Sequence, residues 1–410
     1  MNQLASLGFI LLLALVAGHL VKWVRVPEVT GYILMGVLIG PSVLSLVSGS
    51  NLAALGIFSD VALGLILFSI GSIFEVNKFR HIGRDVIRVA VTDAVATFLA
   101  MLMVMKFAGQ SWQASAIIAA IAIETAAAST LMVIRELNAE GPLTDAITGT
   151  IALNNVICLT TFTLVVGLVR YSLSANGTTV AGSTIAYEAV YRFFWQILGS
   201  AALGYLVGLL LGAWSEHVHE QGEILILLIG CVLLTVGLAL VLHLSTLVAS
   251  LAVGATAANY SETSRRVFRI QSRTDPPFYA IFFVLAGANL HISLLKTLGI
   301  VGIFYFLTRG ASKVISIALS ARRTSLSPRA RSNFPLAMFS HAGLAIGLVL
   351  TLERRLPEIA APITTIVLSS VLIYELIGPL TTKFALLRAG EAQQSLDIQP
   401  ADLAAEPRES

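Results

Sequence analysis

Apolar runs of about 20 residues recur along the chain, and they constrain its fold more than any other feature. As an α-helix, a run of this length spans about 30 Å of hydrocarbon. Only helices and closed barrels satisfy their backbone groups inside a bilayer. Charged residues make up 12% of the 410 residues, against roughly 25% in soluble domains. The sequence therefore predicts an all-α polytopic membrane protein.

Hydropathy and helix-breaking residues predict 13 transmembrane helices. The first apolar run lacks the basic start and the small-residue cleavage site of a signal peptide, so it is counted as a span. Residues 1–387 are expected to form one transmembrane domain, and residues 388–410 a polar cytoplasmic tail. The predicted spans are residues 4–24, 29–46, 53–74, 86–107, 113–136, 142–169, 190–214, 222–243, 245–260, 278–293, 295–320, 334–353 and 358–386.

The positive charges fall unequally on the two sides of these spans. Of the 26 lysines and arginines, 18 fall on one side, 6 on the other and 2 inside a span. Cytoplasmic loops carry the excess of Lys and Arg, so the N-terminus is expected outside and the C-terminus in the cytoplasm of a plasma (inner) membrane. An odd number of spans agrees with that orientation.

Other classes of function have little support in the residues. Cys158 and Cys231 lie in separate apolar spans, so no disulfide framework is indicated. The sequence has no phosphate-binding loop, zinc-ligand spacing or nucleophile motif, and Ser340 and His341 are chain neighbours expected to face apart. No basic segment is interleaved with aromatic residues as in a nucleic-acid site. We therefore expect a lipid-embedded protein that is not an enzyme and has no cofactor or nucleic-acid partner.

Two spans carry polar and small residues at membrane depth. The fifth reads AIAIETAAASTLMVI and the twelfth reads AMFSHAGLAIGLVL. Such residues occur where helices break or pack closely, and each span alone fits either description. Their corresponding places in the two halves favour an inverted-repeat transporter with its site at mid-membrane. The residues concerned are Glu124, Thr125, Ser129 and Thr130 in the fifth span and Ser340, His341, Gly343 and Gly347 in the twelfth.

Ionisable residues inside the spans are the second indication of transport. A charge at the bilayer centre costs roughly 2.5–3.5 kcal/mol and usually faces a cavity or a partner. Arg309 and Lys313 stand four residues apart in the eleventh span, so both project from one helical face. Two cations there require anions opposite them, and Glu124 and Glu375 are the expected suppliers. The alternative is that these residues form salt bridges that only hold the bundle together.

Two aspartates are expected to have a smaller part. Asp60 and Asp93 lie nearer the ends of the predicted spans. An acidic side chain there can reach the interface or line the mouth of a cavity. We therefore expect both at the edges of the bundle.

Five motifs extend over almost the whole chain, from about residue 5 to residue 391. They are PEVTGYILMGVLIGP at Pro27–Pro41, GLILFSIGSIFE at Gly64–Glu75, FYAIFFVLAGANL at Phe278–Leu290, HAGLAIGL at His341–Leu348 and ELIGPLTTKFALLRAGE at Glu375–Glu391. In kind and order they resemble the motifs of a known family, the monovalent cation:proton antiporters, in the branch that includes Kef-type and Na⁺/H⁺ exchangers.

The resemblance implies a homodimeric antiporter with a dimerisation region and a core domain that moves like an elevator. In such proteins the broken fifth and twelfth spans cross beside the ion site. The family's site has a Thr in the fifth-span break, here Thr125, and a basic residue in the eleventh span, here Lys313. It also has an Asp-Asp or Asn-Asp pair in the sixth span, here Asn154-Asn155.

The asparagine pair is a departure from the family. In the family, the second residue of the pair is an Asp, which takes up a proton on one side of the membrane and a cation on the other. An Asn can coordinate Na⁺ through its carbonyl, but it does not titrate. The usual T-A-P break also lacks its proline here and reads Thr125-Ala126-Ala127, preceded by Glu124. The expected proton carrier is therefore missing from the sixth span.

Three interpretations remain open at this point. In the leading one, the chain exchanges Na⁺ or K⁺ for protons and Glu124 replaces the missing acid, with Lys313 as its counter-charge. Thr125, Asn154 and Asn155 would then supply oxygen ligands, and a transient cation would lie at Glu124, Asn154 and Asn155. The supporting residues would be Arg309, Glu375, Ser129 and His341.

In the second interpretation the site carries another solute, including an anion attracted to Lys313 and to the N-termini of the half-helices. In the third, exchange is lost and the protein acts as a sensor or a binding partner. The two amides themselves have a simpler alternative role, which is to cap or bridge broken backbone without touching an ion.

Overall fold

The computed structural model describes residues 3–24, 26–47, 49–175, 191, 194–218, 220–261, 265–289 and 299–392. These residues form α-helices joined by short loops, with no strand among them. The helices are α1 (Gln3–Trp23), α2 (Glu28–Ile39), α3 (Gly49–Gly71), α4 (Val76–Phe107), α5 (Trp112–Ala122), α6 (Ala127–Glu136), α7 (Pro142–Ala175), α8 (Ser200–Ser215), α9 (Gln221–Val241), α10 (Thr246–Tyr260), α11 (Arg265–Thr274), α12 (Pro276–Ala288), α13 (Gly299–Ala321), α14 (Pro328–Asn333), α15 (Gly343–Arg355) and α16 (Pro357–Ala389).

Nine helical segments in the described part of the chain are long and apolar enough to cross a membrane, and three more apolar helices are shorter. The prediction of an all-α polytopic membrane protein is confirmed. The count of 13 spans stays a prediction, since residues 290–298, at the end of the tenth predicted span and the start of the eleventh, lie outside the described residues. Most of the predicted tail, residues 393–410, lies outside them as well.

The helices pack in two groups. The first, here called the panel, contains α1–α3 and α8–α12, and the second, called the core, contains α4–α7 and α13–α16. Close approaches within the panel depend on glycine: a Cβ on Gly36 of α2 would lie 2.1 Å from the Val284 carbonyl oxygen of α12. The panel contains helices from both halves of the chain, and so does the core.

The core repeats one order of elements in each half. A long helix (α4, then α13) is followed by an interrupted span and by a second long helix (α7, then α16). The long helices α4 and α13 pack against each other. This arrangement brings the middle of α4 next to the basic face of α13.

Both predicted interruptions are present. The fifth span stops at Ala122 and resumes at Ala127. The twelfth consists of a 3₁₀ turn, Phe334–Met338, a non-helical stretch up to Ala342, and then α15. Each break leaves backbone groups without their intrahelical partners, and in a membrane those groups must be satisfied by side chains or by other backbone.

Candidate functional site

The two breaks touch at the centre of the core. The Ala126 N–H donates to the Ser340 carbonyl at 3.1 Å, and the Thr130 hydroxyl lies 3.4 Å from the Ser340 hydroxyl. Helix α16 passes close to the same point: a Cβ on Gly378 would lie 2.3 Å from the Ser340 Oγ. The predicted crossing of two broken helices is therefore present, and surrounding side chains form hydrogen bonds with its backbone.

Lys313 lies on one side of this crossing and is fully buried. Its ammonium donates to Asp93 Oδ2 at 2.6 Å, to the Ile123 carbonyl at 2.8 Å and to the Thr125 hydroxyl at 2.9 Å. Three acceptors use all three N–H donors of the ammonium. The Ile123 carbonyl is at the C-terminal end of α5, where the helix dipole favours a cation.

Asp93 is the anion of this pair, and four donors surround it. Besides Lys313, the Asn154 amide lies 2.7 Å from Oδ2. The hydroxyls of Ser316 and Thr97 lie 2.8 Å and 3.3 Å from Oδ1. A buried ion pair is tolerated when such additional hydrogen bonds satisfy its remaining atoms. Asp93 is 0% exposed, so the expectation that it lies at the edge of the bundle was wrong.

The two asparagines have different roles. Asn154 donates to Asp93, and its own Oδ1 is buried with no hydrogen-bond partner among the described residues. Asn155 accepts from the backbone N–H of Thr125 at 3.4 Å, so it satisfies a backbone group freed by the first break. The first amide thus belongs to the ion pair and the second to the broken backbone.

Arg309 occupies the space between the two breaks, one turn before Lys313 on α13. Its guanidinium donates to the carbonyls of Ala122 and Glu124 at 3.2 Å and 2.6 Å. It also donates to the carbonyls of Phe339 and Ser340 at 2.9 Å and 3.1 Å. One rigid fork therefore satisfies carbonyls from both breaks and holds them together.

The expected ion pair between Arg309 and Glu375 does not form. Arg309 instead lies over the ring of Tyr374, with 4.5 Å between the guanidinium carbon and the ring centroid. Glu375 is 3% exposed, and its Oε2 has no hydrogen-bond partner among the described residues. The Ser129 hydroxyl is likewise buried and, within the described part of the chain, without a partner.

Glu124 lies on the other side of the crossing from the ion pair. Its Oε2 contacts His341 Nδ1 at 2.5 Å and accepts from the Ala342 N–H at 3.3 Å. His341 Nε2 lies 2.8 Å from the hydroxyl of Tyr305. The predicted pairing of Glu124 with Lys313 was wrong, because Lys313 pairs with Asp93 and Glu124 pairs with His341.

The structure thus brings most of the predicted residues to the crossing, but in two clusters. The Asp93 cluster contains Asp93, Lys313, Thr125 and Asn154. The Glu124 cluster contains Glu124, His341 and Tyr305. Asp93 and Tyr305 were missed as site residues. A signal for Tyr305 was present in the sequence, because Tyr305, Arg309 and Lys313 are spaced at four-residue steps and share one face of α13. Asp93 also carried a signal, as an ionisable residue inside the predicted fourth span, but its position near the end of that span was given more weight.

The site has oxygen atoms that suit a monovalent cation. Hard cations prefer carboxylate, carbonyl and hydroxyl oxygens. Asp93 supplies a carboxylate, and the unpartnered Asn154 Oδ1 and Thr150 Oγ1 lie one helical turn apart on α7. Among the described residues, no group of three or more His, Cys, Asp or Glu side chains is placed to hold a metal ion.

A second set of polar contacts joins the core to the panel away from the crossing. Arg135, near the end of α6, forms an ion pair with Asp275 and donates to the Ser69 hydroxyl. Burial raises the pKa of the Asp275 carboxyl, and the Arg135 charge opposes that effect. The next residue, Glu136, accepts from the Glu28 N–H at 2.7 Å. These contacts bind the first broken span to α2, α3 and the start of α12.

Crossed broken helices, with buried ionisable side chains where they meet, define a class of protein: the secondary transporters built from inverted repeats. Residues 9–388 match the model of one family of that class, described as sodium/hydrogen exchanger, transmembrane. The chain therefore belongs to the sodium/hydrogen exchanger family, within the monovalent cation:proton antiporter superfamily, and it is a transport protein rather than an enzyme.

Individual relatives are distant. The chain is 24% identical over 292 residues, 71% of each protein, to the ammonium/H⁺ antiporter subunit AmhT of Alkalihalophilus pseudofirmus. It is 22% identical over 391 residues, 92% of each protein, to the K⁺/H⁺ antiporter subunit KhtU of Bacillus subtilis. In fold it is similar to the sodium proton antiporter MjNhaP1 of Methanocaldococcus jannaschii. One structure of that protein has a TM-score of 0.75 at 16% identity and covers 96% of this chain and 100% of the other.

Proposed function

We propose that the protein exchanges Na⁺ or K⁺ for protons, with Asp93 as the carboxylate that binds the cation. The observation that carries this proposal is the fully buried pair of Asp93 and Lys313, 2.6 Å apart, with Asn154 on the same carboxylate oxygen. In this proposal, the carboxylate that the sixth span lacks comes from α4, beside Asn154, the first residue of the asparagine pair. The proposed site therefore contains a carboxylate from Asp93, a basic side chain from Lys313 and an amide oxygen from Asn154.

Binding of a cation competes with Lys313 for Asp93. A cation that enters beside Asp93 meets that carboxylate, the unpartnered Asn154 Oδ1 and the Thr125 hydroxyl. The positive charge of Lys313 repels it, so the ammonium must leave Asp93 before the cation can take its place. Once displaced, Lys313 has lost its carboxylate partner, and release of one proton from its ammonium balances the charge of the bound cation; when the cation leaves, Lys313 takes a proton back and pairs with Asp93 again.

The two other interpretations have less support. A sensor without exchange was suggested by the missing acid, and Asp93 supplies one. An anion site needs a cationic group with free donors, whereas the donors of Lys313 are all used and Arg309 donates to four carbonyls. Glu124 pairs with His341 rather than with a cationic group that a substrate cation would displace.

The names of the relatives favour a monovalent cation as the substrate. They are called antiporters of ammonium and of K⁺ against H⁺, and the solved structure is of a sodium proton antiporter. All three ions are monovalent. Carboxylate and carbonyl oxygens coordinate Na⁺ and K⁺ and accept hydrogen bonds from ammonium. Na⁺ and K⁺ are therefore the ions in the test below.

For the transport movement we propose an elevator, in which the core slides against the panel of a homodimer. The separate packing of the two helix groups supports it, as does the placement of the whole Asp93 cluster within the core. The N-terminus is proposed to face outward and the C-terminus the cytoplasm, as the distribution of Lys and Arg indicates.

The proposal is tested with purified protein in liposomes that contain a pH-sensitive dye. An imposed gradient of Na⁺ or K⁺ is expected to drive proton movement for at least one of the two ions. Asp93→Asn should abolish this movement, and the matched control is Asp85→Asn, which removes a partly exposed carboxylate of the same helix, α4, where it pairs with Arg88. Absence of proton movement with every ion, in correctly folded protein, would overturn the proposed function.

A further inference from the structure

Glu124 belongs to the first break, but its side chain is bound to the second. Its Oε2 contacts His341 Nδ1 at 2.5 Å and accepts from the Ala342 N–H at 3.3 Å. Glu124 and His341 are 1% and 0% exposed, and hydrogen bonds in such a dry interior are stronger than in water. A buried side-chain contact therefore joins the two breaks, and the proposed exchange at Asp93 does not use it.

Tyr305 holds the other side of the His341 ring. Its hydroxyl lies 2.8 Å from Nε2, and Tyr305 is fully buried. A neutral imidazole that donates from Nδ1 to a carboxylate accepts at Nε2, and the Tyr305 hydroxyl supplies that hydrogen. The ring is thus held at both nitrogens, on one side by α13, the helix that also carries Lys313.

The residues on either side of Glu124 are acceptors of the Lys313 ammonium. It donates to the Ile123 carbonyl at 2.8 Å and to the Thr125 hydroxyl at 2.9 Å. Residues 123–126 lie outside both α5 and α6, so their position depends on contacts with other parts of the core. The contacts of the Glu124 side chain therefore help to decide where two of the three acceptors of Lys313 lie.

Backbone contacts hold the same segment independently of the Glu124 carboxylate. Arg309 donates to the Glu124 carbonyl at 2.6 Å, and Asn155 accepts from the Thr125 N–H at 3.4 Å. Loss of the side-chain contact should therefore loosen the first break without unfolding it. The carboxylate adjusts the position of the Lys313 acceptors.

We propose that Glu124 and His341 are positioning residues for the exchange. They hold the first break where it binds the Lys313 ammonium, and they thereby set the affinity of the site for the substrate cation. This inference rests on the proposed exchange at Asp93. A firmly held ammonium stays on Asp93 and keeps a cation out. When its other acceptors move away, the ammonium is bound less tightly, and a cation displaces it at a lower concentration.

Equilibrium binding of Na⁺ and K⁺ to the purified protein in detergent, at one fixed pH, tests this inference. The direction of the change is informative, because general damage to a site weakens binding, whereas a loosened ammonium strengthens it. His341→Gln places its amide near the position of Nε2, so it keeps the contact with Tyr305 and loses the contact with Glu124. Its apparent Kd is expected to fall about tenfold, the equivalent of about one hydrogen bond to a charged group.

His341→Asn is the matched variant. Its amide lies near the position of Nδ1, so it can still donate to Glu124 while it loses Tyr305. The Kd of H341N should therefore stay closer to the parent value than that of H341Q. Tyr305→Phe gives an independent test if H341Q does not fold, since it removes one hydroxyl and keeps the ring. It frees one side of the imidazole, so its Kd should fall in the same direction by a smaller factor.

Thr130→Val is the control for a general loosening of the crossing. It removes the contact between the Thr130 and Ser340 hydroxyls, which lie 3.4 Å apart, but it leaves the acceptors of Lys313 in place. Its Kd should equal that of the parent protein. A fall as large as that of H341Q would contradict a specific role for the contact between Glu124 and His341.

The outcomes separate this inference from the proposed function. A Kd for H341Q equal to or above that of the parent, or equal falls in H341Q and H341N, would overturn the inference and leave exchange at Asp93 intact. Cation binding that is unchanged in Asp93→Asn would overturn the proposed cation site. A parent protein that binds neither ion would overturn both.

Discussion

Arg309 and Lys313 lie one helical turn apart on the same face of α13, yet only Lys313 is paired with a carboxylate. Lys313 contacts Asp93, whereas the hydrogen bonds of Arg309 go to backbone carbonyls of both breaks. The two cations therefore have different tasks. In the proposed exchange Lys313 gives up Asp93 to a cation, whereas Arg309 holds the crossing in place.

Replacement of Arg309 is expected to unfold the crossing. Arg309→Gln leaves several buried carbonyls without donors, at a cost of about 1–3 kcal/mol for each group. Arg309→Lys retains the charge but not the planar fork, so its loss should be smaller. Thermal unfolding in detergent measures the difference. Arg388→Gln is the control, since Arg388 stacks on Phe384 near the end of α16, and equal midpoints for R309Q and R388Q would contradict this role.

The Arg135–Asp275 ion pair is expected to hold the core against the panel in the conformation described here. Because the pair joins α6 to the start of α12, Arg135→Gln and Asp275→Asn should each increase hydrogen–deuterium exchange in residues 127–136. The reversed pair, R135D with D275R, should restore part of the protection. Two residues in direct contact typically show a coupling energy of about 0.5–3 kcal/mol in a double-mutant cycle.

Arg88→Gln is the control for that prediction. It removes an ion pair, 3.3 Å between Arg88 and Asp85, but both residues lie on α4 within the core. Exchange in residues 127–136 should be the same as in the parent protein. If R135Q and R88Q raise exchange equally, the contact between the two helix groups is not what protects α6.

Gly378→Ala is expected to slow transport. The added Cβ would lie 2.3 Å from the Ser340 Oγ and 2.7 Å from the Ser340 Cα, so the second break must shift. Overpacking of this kind costs about 1–3 kcal/mol, and the shift displaces the carbonyl that accepts from Ala126 and Arg309. Liposome assays should give a several-fold lower exchange rate than for Gly230→Ala, where a Cβ meets nothing within 4 Å.

The sequence was sufficient to predict the helical class, both interrupted spans and the presence of Lys313 and Asn154 at their crossing. These follow from hydropathy, from small polar residues at membrane depth and from the family motifs. It was not sufficient to predict which acid faces which base. Pairing depends on the rotation of each helix about its axis, and composition carries no direct information on that rotation.

Asp93 illustrates the physical reason for the largest error. Charged residues between positions 77 and 88 lower the local hydropathy, so the fourth span was predicted to begin at residue 86 and Asp93 was placed near its end. The helix in fact begins at Val76. Asp93 therefore lies well inside α4, opposite Lys313, and a boundary error became an error about function.

The most direct test of the central claim is to remove and then relocate the carboxylate of Asp93. Asp93→Asn is expected to abolish cation-driven proton movement in liposomes. The double variant D93N with N154D should recover part of it, because residue 154 contacts Asp93 at 2.7 Å and so places an acid within reach of Lys313. Exchange in D93N at the rate of the parent protein would contradict the assignment of the cation site to Asp93.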